Sequence, residues 1–228
     1  MVVKSDHHEE DIRLLLNRLP EACLRGGVIH VGAHIGEEVA AYFEAGFQRV
    51  FLFEANPECC QKLEHRFHHD PRVKIANCAI SENRGQVTLH LHTSRTGSTE
   101  PASLFQMKEL SRIVKTLSTP RSIEVEAFTL DQFLTEHEID ASEIGLLNLD
   151  IQGAELRALK GATKTLTTLP AVITEVNVIE LYAGGSLEEE IVSFLALHNF
   201  KQDYTIYHTL YEGEATFPAW GESLFLKA

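Results

Sequence analysis

A chain of 228 residues with 44% hydrophobic content can bury a full core, so extended disorder is not expected. The formal net charge of −13 argues against a nucleic-acid phosphate backbone as partner and fits a neutral or cationic one better. No apolar run reaches the roughly 18 residues that span a bilayer, and "MVVKSDHHEEDIRLLL" lacks a signal-peptide layout, so a cytoplasmic protein without a membrane partner is expected.

From a cap at Ser5 or Asp6 a helix is predicted to about Leu19, with Ile12, Leu15, Leu16 and Leu19 on one face. "GVIHV" then reads as a buried strand and "EEVAAYFEAGF" as a helix closed by Gly46. "RVFLFEAN" is a second strand, Pro57 opens the helix "PECCQKLEHRF", and "VKIANCAI" is a third strand. The alternation then breaks. "GQVTLHLHT" has the period of two of a strand with one wet face, "SRTGSTEP" is a loop by composition, and Leu104, Met107, Val114 and Leu117 suggest an amphipathic helix. Strand "IEVEAF", helix "TLDQFLTEH", strand "IGLLNLDI", helix "GAELRALKGATKTL", strand "AVITEVN" and helix "LEEEIVSFLALHNF" follow, and the tail reads as a hairpin.

Apolar strands alternating with helices imply an α/β fold, doubly wound around a mostly parallel sheet, with the hairpin adding antiparallel pairing. Ligands of such sheets bind beyond the carboxyl ends of the strands. The cysteines Cys23, Cys59, Cys60 and Cys78 have no zinc-site spacing and read as reduced thiols. The first strand–helix corner, Gly32-Ala33-His34-Ile35-Gly36, lacks the middle glycine of a dinucleotide turn, and Glu37 and Glu38 would repel a pyrophosphate. They suit a ligand carrying an ammonium or sulfonium group. Glu54 ends the second strand about 20 residues on, where a carboxylate takes both hydroxyls of a ribose. Ribose, no pyrophosphate and a tolerance for positive charge together point to S-adenosylmethionine.

The segments "VGAHIGEE", "FEANP", "NCAIS", "TLDQF", "LDIQGAELRALKGA", "TEVNVIELY" and "AWGESLFLKA" occur in one order that resembles the FkbM family of S-adenosylmethionine-dependent methyltransferases. The resemblance runs from Val28 onward. It implies a class I methyltransferase domain over residues 27–228 with a seven-stranded type of sheet. The segment at about 94–120, outside the regular alternation at the strand-end edge, is read as an inserted substrate lid, and residues 1–26 as a helical extension. The resemblance also implies site roles. Gly32, Ala33 and Gly36 would face the methionine part of the cofactor, Glu54 the ribose and Ala55 the adenine. Asn77 and Ala79 would edge the adenine, and Asp150 would lie near the methionine amine and methyl group. Many members carry an acid where His30 stands and an asparagine where His34 stands. His30 is then either a packed, hydrogen-bonded histidine or a contact to the cofactor's carboxylate.

Asp150, Glu175 and Asn177 lie at the ends of two strands expected to be neighbours, with Glu175 and Asn177 on one face. Two readings stand: one carboxylate as general base with the other as a clamp, or a divalent cation held through oxygen ligands. The metal-free reading is favoured because no Asp-Asp or Asp-Asn pair is present there. Tyr182 and Trp220 are assigned to packing. The resemblance alone makes the expected reaction O-methylation of a hydroxyl on a sugar, glycan or secondary metabolite. An N-methyltransferase and a non-catalytic nucleotide-binding module remain as alternatives.

Overall fold

A computed structural model describes residues 8–91, 102–105, 121–212 and 215–228. The predicted cap at Ser5 or Asp6, the 94–101 loop, and Met107, Val114 and Leu117 lie outside the described residues. The chain runs α1 (His8–Leu16), β1 (Gly27–Val31), α2 (Val39–Ala45), β2 (Arg49–Phe53), α3 (Pro57–Phe67), β3 (Val73–Ala76), β4 (Ala79–Ile80), β5 (Gly85–Leu91) and β6 (Arg121–Phe128). It continues through α4 (Leu130–Glu136), β7 (Ile144–Leu149), α5 (Glu155–Lys160), α6 (Thr165–Thr168), β8 (Ala171–Asn177), α7 (Glu188–Leu197), β9 (Phe200–Glu212) and β10 (Ala215–Lys227).

Seven strands form one sheet in the order β3-β2-β1-β7-β8-β10-β9. β3, β2, β1, β7 and β8 are parallel, and β10 runs antiparallel to both β8 and β9. Every residue of β1, β7 and β8 is buried, which is why these strands read as continuous apolar runs. Alternation sends Ile29, Val31, Leu147, Leu149, Val172 and Val176 to the face covered by α4 to α7. Val28, Leu52, Leu146, Ile173 and Leu224 face α1, α2 and α3 instead. The same parity puts His30, Asn148, Glu175 and Glu222 on the α1 and α2 side, so that layer carries a polar belt above its apolar base.

Two predicted elements are divided by the tertiary structure. "VKIANCAI" breaks after Ala76: β3 stays in the main sheet, and β4 pairs with β6 in a three-stranded sheet β4-β6-β5. The break is held by Asn77, whose Nδ2 donates to the Glu54 carbonyl at 2.7 Å. "GAELRALKGATKTL" stops at Gly161, packed so close to Ser81 that a Cβ would lie 2.1 Å from its carbonyl oxygen. α6 starts afresh because the Asp131 carboxylate accepts the Lys164 and Thr165 backbone N–H groups, both at 2.8 Å. Among the described residues no helix is long and apolar enough to cross a membrane.

Candidate active site

The carboxyl ends of β1, β2, β7 and β8, with β10 beside them, open onto a cavity of about 420 Å³. Strand order reverses between β1 and β7, so this is the switch point where α/β sheets take ligands. One end of the cavity is largely apolar, with Ala55, Ala79, Ile80, Leu89 and Leu104 in its wall. The other end is acidic, with Asp11, Glu38, Glu175 and Glu222, and with His208 and Trp220 alongside.

Glu54, just past β2, is buried and anchored through both oxygens. Oε2 accepts the His34 backbone N–H and Oε1 accepts that of Asn56, each at 2.7 Å. Burial pushes its carboxyl up to about 7, against the pull of those two N–H groups. Next to it, the His34 imidazole hydrogen-bonds Cys59 and Glu37, the latter with Nδ1 at 3.1 Å. These partners raise it to about 10, so His34 is cationic and offsets part of the acidity around it.

The strand-end acids form one connected array. Gln152 Nε2 donates to Asp150 Oδ1 at 2.6 Å and to Glu175 Oε2 at 2.9 Å. The Tyr182 hydroxyl donates to Gln152 Oε1, and Asn177 Nδ2 donates to Glu175 Oε1 at 3.2 Å. Burial, then Glu155, Asp150 and Glu222, hold the Glu175 carboxyl well above the usual range. Glu155 itself is fully buried. Its Oε1 accepts the Ile151 and Gly153 backbone N–H groups at 3.0 and 3.1 Å, closing the turn after β7, and burial raises its carboxyl to about 7. On the acidic side, Asp11 of α1 pairs with His208 Nε2 at 3.2 Å, and the His208 ring stacks on Trp220 with centroids 5.2 Å apart. Among the described residues no group of three or more His, Cys, Asp or Glu is arranged to hold a metal ion.

Residues 30–204 match a family model described as the methyltransferase FkbM domain. The chain belongs to the FkbM methyltransferase family. It is similar to the 2-O-methyltransferase NoeI of Sinorhizobium fredii (strain NBRC 101917 / NGR234), at 24% identity over 161 residues, which span 69% of this chain and 65% of that protein. Among solved structures it is similar to the methyltransferase FkbM from Methylobacillus flagellatus KT, with a TM-score of 0.56 and 18% identity over 89% of this chain and 44% of that one. The precorrin-6y C5,15-methyltransferase from Geobacter metallireducens GS-15 gives a TM-score of 0.53 and 10% identity over 99% and 89%. The two structural likenesses carry the fold. α1, which brings Asp11 to the cavity, precedes the matched FkbM region.

Of the residues predicted for this FkbM site, Gly32, Glu54, Ala55, Ala79, Asp150 and Glu175 line the cavity. Five others are not in its lining. His30 is buried, with Nδ1 3.2 Å from the Tyr42 hydroxyl, which in turn accepts from Asn148 Nδ2 at 2.6 Å. Ala33 packs into the core under α2, and Gly36 faces α3, where a Cβ would lie 2.7 Å from the Phe67 ring. Asn77 turns its amide to the Glu54 carbonyl, and Asn177 reaches the cavity only through Glu175. Gly32 has φ +89, and a Cβ there would meet the Asp150 carbonyl oxygen at 1.9 Å. Close approach of β7 is therefore enough to require this glycine, without a ligand. Sequence reasoning covered Gln152 only as part of the strand-end stretch Asp150 to Gly153, with no role, missed Glu222, and assigned Tyr182 and Trp220 to packing. Glu222 carried a readable signal, since it is the one acid in the otherwise apolar run "AWGESLFL", as Glu175 is in "AVITEVN". Asp11 and His208 carried none, because only the tertiary fold brings α1 against the hairpin. Of the predicted lid, Ala102 and Leu104 pack beside Ala79 and Leu89, at the apolar end.

Proposed function

We propose that this protein is an S-adenosylmethionine-dependent O-methyltransferase acting on a hydroxyl of a small polar acceptor, a sugar or glycan unit, without a catalytic metal. One observation carries the reading: a single cavity sets the doubly anchored Glu54 between an apolar end and an acidic one. The residues present fit the cofactor chemically. Glu54 offers paired oxygens to ribose hydroxyls, and Ala55, Ala79, Ile80 and Leu89 offer an apolar wall to a base. Asp150 with Glu37 and Glu38 offers negative charge to an amine and a sulfonium. When bound, the cofactor supplies an activated methyl group.

The rest falls to side chains of this chain. Val31, at the end of β1 beside β7, helps to keep water from the reacting end. Asp150 and Glu175 line the cavity together, bridged by one amide, so an acceptor hydroxyl meets both at once. Glu175 takes the hydroxyl proton, and burial with neighbouring acids makes it a stronger base than a free carboxylate. The acceptor enters at the acidic end, where carboxylates accept hydrogen bonds from hydroxyls and Trp220 offers a ring face. NoeI, a 2-O-methyltransferase by name, supports the choice of oxygen as acceptor. The acidic end also favours a second reading, an amine acceptor and N-methylation.

The test is calorimetric binding of S-adenosylmethionine and its demethylated product, followed by product-release assays over neutral sugars, amino sugars and simple amines. Micromolar cofactor binding and turnover with neutral sugars are expected. Binding of NAD in place of either compound would remove the reading, and turnover with amines alone would move it to the nitrogen acceptor.

A further inference from the structure

We propose that Gln152 is the positioning residue of the transfer site: its side-chain amide gathers Asp150 and Glu175 into one pair directed at the cavity. The inference rests on the reading above that these two carboxylates serve the reaction. A primary amide has two N–H donors, and here each acid takes one, at 2.6 Å for Asp150 and 2.9 Å for Glu175. The other end of the amide is fixed as well, since the Tyr182 hydroxyl donates to Oε1. A flipped amide would set its carbonyl oxygen against two carboxylates and lose both bonds to them.

The main chain is tied down too. Gln152 adopts φ +57 and is followed by Gly153 at φ +100, and the Ser103 hydroxyl donates to the Gln152 carbonyl at 2.7 Å. Gly153 sits against the ring of Tyr182, where a Cβ would lie 3.1 Å from Cδ2. Side chain and backbone are therefore both held, as a group that must place two others requires.

Charge explains why a neutral donor stands at this position. The groups acting on the pair include Glu155 from the turn, Glu222 from β10, Glu54 from the end of β2, and the phenols Tyr182 and Tyr42. These are acids or phenols, while His34 and His208 line other parts of the same cavity. Glu175, buried, and Asp150, half-buried, repel in such surroundings, and a bridging donor favours the ionised form of Glu175. Without the bridge the two side chains separate, or Glu175 keeps its proton to higher pH. A glutamate at 152 would add a further acid at the same spot.

The experiment uses the full chain and calorimetry of S-adenosylmethionine binding in buffers of different ionisation enthalpy, from about pH 5.5 to 8.5, which counts protons exchanged on binding. A cationic ligand beside the pair should release a proton. In Gln152→Ala the pH at which release is centred should rise by about one unit, and in Gln152→Glu by more, with affinity at the alkaline end held within about fivefold. Tyr182→Phe should move it the same way by less. With an acceptor that supports turnover, kcat should fall at least about tenfold, its acidic limb moving in the same direction, with cofactor KM little changed. Thermal unfolding of each variant reports on folding. Folded variants whose proton-release curves superimpose on the wild type overturn the inference, as does a wild type that binds cofactor and exchanges no proton. A wild type that binds neither cofactor nor product overturns the functional reading itself, and this inference with it.

Discussion

Glu175 and Glu222 stand directly opposite each other in the antiparallel β8–β10 ladder, 5% and 3% exposed. Like charges in that position oppose each other, and Glu222 is among the groups that raise the Glu175 carboxyl. A raised folded-state pKa contributes stability that is full below the unfolded value near 4.5 and is lost as pH rises through the folded one. Glu222→Gln removes one cause of that loss. Urea unfolding at pH 8 should show a gain of about 0.5–1 kcal/mol, with little gain at pH 5. Identical midpoints at pH 8 would count against opposed charge.

On the proposed function, in which it holds the ribose, Glu54 links pH to cofactor binding. Its carboxyl, held at about 7 by burial, must be ionised to accept from two ribose hydroxyls. Affinity for the demethylated cofactor should therefore weaken as pH falls from about 8 to 6, and Glu54→Gln should bind about tenfold more weakly at pH 8 with a flatter pH response. For the stability of the free protein the sign is reversed: the Glu54 contribution is full below about 4.5 and disappears as pH rises through about 7. A wild-type affinity that is equal at both pH values would place Glu54 away from the ribose.

The two glycines of the β1–α2 corner differ in what a methyl group would strike. At Gly32 it is backbone, the Asp150 carbonyl oxygen at 1.9 Å, while at Gly36 it is side chain, the half-buried ring of Phe67 at 2.7 Å. Gly32→Ala should destabilise by at least about 3 kcal/mol or fail to fold, and Gly36→Ala by about 1–2 kcal/mol. Should Gly32→Ala keep its unfolding midpoint and lose only cofactor affinity, ligand approach and not strand packing would be the reason for the glycine.

Asp150→Asn and Glu175→Gln should each cut turnover by about a hundredfold or more, with cofactor affinity falling little for Glu175→Gln and further for Asp150→Asn. Activity should persist in excess chelator. Loss in chelator and recovery with magnesium or manganese would replace the base by a metal-assisted route.

The fold was legible because buried parallel strands are apolar along their whole length. "GVIHV", "IGLLNL" and "AVITEVN" announce themselves, and the glycine corner with Glu54 marks the end of the sheet where the cavity opens. Acids inside such runs were legible for the same reason: Glu175 has no place in an apolar strand unless something meets it. Local pattern did not extend to which neighbour meets which. Asn77 and Gly161 each end an element through contacts with distant backbone, at Glu54 and Ser81, that no window of sequence contains. Gln152 looks like an ordinary turn residue until β7, β8 and Tyr182 are brought together around its amide. The sequence by itself determined the buried strands, most of the helices and the presence of Glu175 at the end of an apolar strand, because burial writes itself into composition and period. Only the tertiary structure decided that Glu222 faces Glu175, that Asp11 reaches the cavity, and that one amide holds the acids together, because these depend on register and packing between segments far apart in the chain.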